Sequence, residues 1–143
     1  MTDLQSRFHD IIAPVIAFDS EIEIIEGKGS WVTAADGKQY LDFACGIATT
    51  NLGHRPDNVV AAAQAQLNKL WHAGGAFLYA PIVDAAEAIV SVAPEGIDEM
   101  FFMNSGAEAV EGAVKLARKT SGRQGIITFR GGFHGRTMGS VTY

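Results

Sequence analysis

The chain has 143 residues, 48% of them hydrophobic and 19% charged, with a formal net charge of −5; this is an ordinary globular composition, and the negative balance argues against nucleic acid or an anionic membrane surface as partner. The single cysteine, Cys45, excludes an internal disulfide and any metal site built on several cysteines, and its apolar surroundings suggest a buried, unreactive thiol. No apolar run approaches membrane-spanning length, and residues 1–13 lack the apolar stretch of a secretion signal, so a cytoplasmic location is expected.

Residues 1–13 are compatible with a short helix carrying Leu4, Phe8, Ile11 and Ile12 on one side, or with a loose arm. Ile22, Ile24 and Ile25 suggest a strand. Trp31 to Ala34 and Gln39 to Phe43 flank Asp36-Gly37, a strong hairpin signal. Gly46, Gly53 and Pro56 mark a loop. Asp57 to Trp71 reads as an amphipathic helix with Val59, Ala63, Leu67 and Leu70 along one face, ended by Gly74-Gly75. Pro81 opens a further helix in its favoured first turn, and Pro94 with Gly96 stops it.

From Asp98 onward the pattern becomes strand, tight turn, helix, strand. Met100 to Met103 is a short apolar run, and Ile126 to Phe129 is a second. Between them Ala107, Val110, Val114 and Ala117 form a helical stripe. Ser105 with Glu108 three residues later is a capping-box pattern, so the helix is expected to start there. His54 and Arg55 read as capping groups for the helix just after them, and Lys115, Arg118 and Lys119 as a solvated basic helix end. Two strands joined by such a helix should be parallel with a right-handed crossover, and their continuous apolar character fits burial on both faces. Ligands of open parallel sheets bind outside the carboxyl ends of the strands. Ser105-Gly106-Ala107 and Gly131-Gly132-Phe133-His134 both fall at such ends. The first N–H groups of a helix have no internal partner and carry partial positive charge. A phosphate fits on the N–H groups of Gly106 and Ala107 with the Ser105 hydroxyl nearby; a capped helix that binds nothing is the alternative.

Asn104-Ser105-Gly106-Ala107-Glu108-Ala109, with Phe133-His134-Gly135-Arg136-Thr137 further on, resembles the class III (ω-amino acid) aminotransferases. Tyr40-Leu41-Asp42-Phe43-Ala44-Cys45-Gly46-Ile47-Ala48, ending at Gly53-His54, resembles their N-terminal part. The resemblance runs from about Ala13 onward. It implies an α/β, fold-type I architecture that depends on pyridoxal 5′-phosphate. Residues 1–55 would be a β-containing segment of the small domain, and residues 56–143 the beginning of the large, mostly parallel-sheet domain. It further implies that Ser105, Gly106 and Ala107 hold the cofactor phosphate, that Phe133 covers one face of the pyridoxal ring, and that His134 is a secondary cofactor contact. Arg136 would bind a substrate carboxylate and Ile47 line the substrate pocket. A core phenylalanine, a structural histidine, a solvated arginine and a core isoleucine are the plainer alternatives.

The family needs a lysine that forms a Schiff base with the cofactor, and an acid beside the pyridine nitrogen. None of Lys28, Lys38, Lys69, Lys115 and Lys119 matches the Schiff-base position. The expectation is therefore an N-terminal portion of an enzyme, neither stable nor active alone, that in complete form moves an amino group to a 2-oxo acid. Candidate donors are 4-aminobutyrate, acetylornithine or ornithine, with the stretch Glu108 to Arg118 and Gly-Gly-Phe-His-Gly-Arg nearest the 4-aminobutyrate type. A homodimer is implied for the complete protein; no metal, nucleic acid or membrane is. A truncated remnant acting through partner binding is the alternative. A nucleotide-binding module is opposed by the absence of G-x-G-x-x-G and G-x-x-x-x-G-K-[ST], and a hydrolase by the absence of G-x-S-x-G.

Overall fold

A computed structural model describes residues 2–15 and 20–143. The chain divides into two compact units, residues 1–76 and 77–143. Among the described residues no helix is long and apolar enough to cross a membrane, and no cluster of three or more His, Cys, Asp or Glu side chains forms a metal site.

In the first unit, α1 spans Asp3–Ile11. It begins in a reciprocal capping box: the Thr2 hydroxyl accepts the Gln5 N–H at 3.2 Å, and the Gln5 side chain accepts the Thr2 N–H at 2.7 Å. The Gln5 amide also donates to the Glu21 carbonyl at 3.1 Å, tying the helix to the chain ahead of the sheet. The helix expected over residues 1–13 is therefore present; Met1 lies outside the described residues.

Strands β1 (Ile24–Lys28), β2 (Trp31–Ala34) and β3 (Gln39–Leu41) form an antiparallel meander in the order β1-β2-β3. Lys28 faces Trp31 in the first hairpin, and Thr33 faces Gln39 in the second. The Asp36-Gly37 signal marks this second turn. Gly37 has φ 83°, and the Asp36 carboxylate accepts the Lys38 N–H at 3.0 Å. Ala34 is the one hydrophobic side chain fully buried among the described residues.

Beyond β3 the chain makes a single turn, α2 (Cys45–Ala48), whose residues Cys45, Gly46, Ile47 and Ala48 all have positive φ (49°, 59°, 57° and 62°). Side chains resist that left-handed backbone by roughly 1–2 kcal/mol per residue, so the turn needs anchors. Asp42 supplies them: one carboxylate oxygen accepts the Ala44 and Cys45 N–H groups, each at 2.9 Å. Its other oxygen meets His54 Nε2 at 2.7 Å. His54 in turn pairs backbone to backbone with Gly29, at 2.7 and 2.9 Å. Gly27 leaves room for the imidazole, since a Cβ there would stand 2.7 Å from His54 Cγ. The sequence reading of His54 and Arg55 as helix caps is thus corrected: α3 (Asp57–Leu67) has Pro56 at its N-cap with no side-chain bond, while Arg55 pairs with Glu26 at 2.9 Å. Both side chains are instead recruited by the sheet, where a carboxylate is within reach. Cys45 is half-buried, its thiol donating to the Asp42 carbonyl at 3.4 Å.

The hydrogen bond from His54, and then the Cys45 N–H, hold the Asp42 carboxyl below its usual range. A depressed carboxylate stabilises the fold above its unfolded value and loses that contribution as pH falls through the folded one. Asp42→Ala is accordingly expected to speed hydrogen exchange at the Gly29 and His54 amides by on the order of 10-fold at neutral pH. The wild type should approach the same rates, after correction for intrinsic exchange, only on acidification. Unchanged protection in Asp42→Ala would show that the bridge holds without this anchor.

α3 ends at Leu67, short of the expected Trp71; beyond it the Asn68 side chain donates to Gln64 O at 3.0 Å and that of Trp71 to Leu67 O at 2.8 Å.

The second unit holds α4 (Ala80–Val90), opened by Pro81, and α5 (Gly106–Ser121). α5 stops at Gly122, which has φ 71° and donates to Arg118 O at 3.0 Å. The two runs expected as parallel strands, Met100–Met103 and Ile126–Phe129, carry no strand. A ladder exists only where a neighbour supplies hydrogen bonds, and the sheet among the described residues is the antiparallel one of the other unit. The runs stay in water: Phe101, Ile127 and Phe129 are 83%, 100% and 90% exposed. Much apolar surface here is therefore without a covering layer.

Candidate active site

α5 begins where the sequence places it. Ser105 is the N-cap, and its hydroxyl accepts the Glu108 N–H at 3.2 Å. The Glu108 carboxylate reaches one residue further back than an ideal capping box, to the Asn104 N–H at 2.7 Å. With Glu108 N–H on the cap and Ala109 N–H on Ser105 O at 2.9 Å, the N–H groups of Gly106 and Ala107 are left as the open donors of the first turn. A Cβ on Gly106 would meet nothing within 4 Å, so this end is unobstructed.

The segment 131–139 folds back onto that end. Gly131 has φ 81°, and Gly132 N–H closes the turn on Phe129 O at 3.1 Å. Gly135 has φ 120° and lies directly on α5: a Cβ there would stand 2.4 Å from Ala107 Cβ and 2.7 Å from Ser140 Oγ. Only glycine satisfies both the backbone and the space. Thr137 and Ser140 form a corner beneath, with Thr137 N–H on Ser140 Oγ at 3.1 Å and the two hydroxyls 2.8 Å apart. Glu111 of α5 accepts from the Thr137 hydroxyl and, at 3.1 Å, from the Gly139 N–H. The Thr137 hydroxyl, then the Gly139 N–H, keep the Glu111 carboxyl below its usual range. Ser140 is 1% exposed.

The result is an open pocket of about 610 Å³ lined by Gly106, Ala107, Val110, Phe133, His134, Gly135, Arg136 and Thr137. Five residues singled out in the sequence, Gly106, Ala107, Phe133, His134 and Arg136, thus meet in one place, with Ser105 capping the helix that ends there. Ile47 belongs to the first unit, on the left-handed turn, and is 93% exposed. The Phe133 ring is 76% exposed and carries the Arg136 guanidinium 5.9 Å from its centroid. His134 Nε2 is buried with no protein partner. Sequence reasoning gave no site role to Val110, Gly135, Thr137, Glu111 or Ser140. Gly135 and Thr137 stand within a recognised motif, but Glu111 and Thr137 lie 26 residues apart with no local signal joining them.

The residues fit a phosphorylated aromatic ligand: two free N–H donors at a helix N-terminus, an unobstructed approach over Gly106, and an exposed ring, Phe133, in the same lining.

The profile of the family described as aminotransferase class-III matches residues 16–143. Acetylornithine aminotransferase of Listeria innocua is 48% identical over 122 residues, covering 85% of this chain and 31% of that protein. The acetylornithine aminotransferase of Archaeoglobus fulgidus is 43% identical over 122 residues, again covering 85% of this chain and 32% of the relative. The chain therefore spans about a third of the length of these relatives. Among solved structures, taurine:2-oxoglutarate aminotransferase from Bifidobacterium kashiwanohense, in complex with PLP and glutamate, superposes with TM-score 0.86 at 27% identity, over 96% of this chain and 31% of that one. A phospholyase from Arthrobacter in complex with phosphoethanolamine superposes with TM-score 0.85 at 30% identity, over 97% and 33%. The expected α/β, fold-type I architecture is the one these neighbours have, although this chain carries only part of it.

Proposed function

This chain belongs to the class-III aminotransferase family, and on that premise we propose that it forms the cofactor-phosphate and ring-facing part of a pyridoxal-phosphate-dependent aminotransferase. The complete protein passes an amino group from an ω-amino acid to a 2-oxo acid. The relatives favour an acetylornithine-type donor over the 4-aminobutyrate type suggested by residues 108–118 and 131–136; ornithine stays within the same class.

The observation that carries the reading is the meeting of the open α5 N-terminus with the 131–137 turn in one pocket. When bound, pyridoxal phosphate supplies the electron sink that amino transfer requires. The Gly106 and Ala107 N–H groups receive its phosphate, with the helix end adding favourable potential. Ser105, whose hydroxyl oxygen already accepts the Glu108 N–H, keeps a proton to donate. Phe133 covers one ring face and excludes water there, and His134 backs it. Arg136 leaves Phe133 to take a substrate carboxylate in its planar fork. Ile47 lines the substrate side. The proton-transferring lysine comes from a segment other than those described, and a second copy completes the site as a homodimer. In this reading residues 1–55 belong to the small domain and 56–143 to the large one.

Gly106→Asp tests the phosphate assignment. Open space around Gly106 accommodates the side chain, and an acid in the first turn of a helix stabilises it by about 0.3–1 kcal/mol. Beside a phosphate the same charge is repulsive. In the native protein, cofactor affinity should fall on the order of 100-fold while thermal stability holds or rises. Unchanged affinity, by absorbance titration with pyridoxal phosphate, would place the phosphate elsewhere.

A further inference from the structure

Arg136 is exposed and its side chain rests on an exposed ring, yet its backbone is held on both sides. On one side Gly135 presses against Ala107 and Ser140 so closely that no side chain fits. On the other, Thr137 is bonded through its N–H to Ser140 and through its hydroxyl to Glu111. The same Glu111 oxygen takes the Gly139 N–H at 3.1 Å, and a Cβ on Gly139 would lie 2.8 Å from the Glu111 carboxyl carbon, so the carboxylate packs directly on this glycine. Ser140, the one polar residue fully buried among those described, closes the corner. One carboxylate on α5 thus receives the hydroxyl and the N–H that fix where the arginine loop begins its next turn.

The geometry points to Glu111 as a positioning residue: by gripping Thr137 and Gly139 it sets the place on α5 from which Arg136 meets the substrate carboxylate. This rests on the reading of Arg136 given above. Glu111 is not in the pocket lining, so its effect reaches the ligand through Arg136. On that reading the cofactor phosphate would rest on the backbone N–H groups of Gly106 and Ala107, donors that Glu111 does not engage. Misplacing a carboxylate-binding group by about 1 Å is enough to cost up to on the order of 100-fold in rate or affinity.

The test uses the native holoenzyme with Arg136→Ala as reference. Glu111→Ala should raise KM for the oxo acid on the order of 10-fold with kcat and cofactor affinity within about 2-fold. Glu111→Gln, which keeps an acceptor oxygen, should recover most of the loss, and Thr137→Val, which lacks the hydroxyl, should behave as Glu111→Ala. A purely structural role would lower kcat, cofactor affinity and thermal stability together, without the KM split, and would overturn the proposal. So would a raised KM in Arg136→Ala with none in Glu111→Ala or Thr137→Val, which leaves the Arg136 reading standing. If Arg136→Ala itself leaves KM unchanged, the Arg136 reading has failed and this inference goes with it. Should Glu111→Ala not fold, Thr137→Val against Glu111→Gln decides the same question.

Discussion

Gly135→Ala is expected to destabilise the native protein by about 3 kcal/mol or more, since backbone strain and core overpacking each cost roughly 1–3 kcal/mol. The φ of 120° is one that side chains rarely adopt. The added methyl would also stand 2.4 Å from Ala107 Cβ, 2.7 Å from Ser140 Oγ and 2.8 Å from Ala107 Cα. Two of those contacts are with the α5 end that forms the floor of the pocket, so relief by movement would pull the 131–139 segment off the helix. Cofactor affinity should therefore fall with stability. Adding Ala107→Gly removes the closest contact but leaves the Cα, Ser140 and the backbone strain, so rescue should be partial. Thermal unfolding of the single and double variants checks this. Wild-type stability in Gly135→Ala would mean that the segment does not seat on α5 as described.

Arg136→Ala is expected to raise KM for the carboxylate-bearing substrates on the order of 100-fold, the size of losing a charge-assisted hydrogen-bonded pair. Its effect on stability should be small. The arginine is exposed, and its contact with Phe133 is a cation–π pair at the surface, worth roughly 0.5–1 kcal/mol. That separation of a large kinetic effect from a small stability effect is what a ligand-facing arginine predicts. Arg136→Lys should recover only part of the loss, because an ammonium keeps the charge but not the two-pronged fork. Steady-state kinetics with both substrates measures it, and an unchanged KM would return Arg136 to the role of a surface cation packed on Phe133.

Local chemistry was legible in the amino-acid order itself. Ser105 and Glu108 marked the start of α5, Asp36-Gly37 marked a hairpin, and Pro81 opened α4, because each signal is a side chain or ring acting on backbone a few residues away. The pocket residues were legible for a related reason: the Ser105-Gly106-Ala107 and Phe133-to-Arg136 motifs are short and contiguous, and the fold has only to bring two turns together.

What only the tertiary structure decided involves groups far apart in the chain. Asp42 and His54 are 12 residues apart, and Glu111 and Thr137 are 26; nothing in either neighbourhood distinguishes such a carboxylate from a solvated one. His54 read as a cap because its chain neighbours point to a helix start, whereas the carboxylate it meets is brought beside it only by the folded sheet. The apolar runs at Met100–Met103 and Ile126–Phe129 show the limit most plainly. Composition by itself determined that they suit burial, but a strand also requires a neighbour, and hydrogen-bonded neighbours are a property of the assembled sheet.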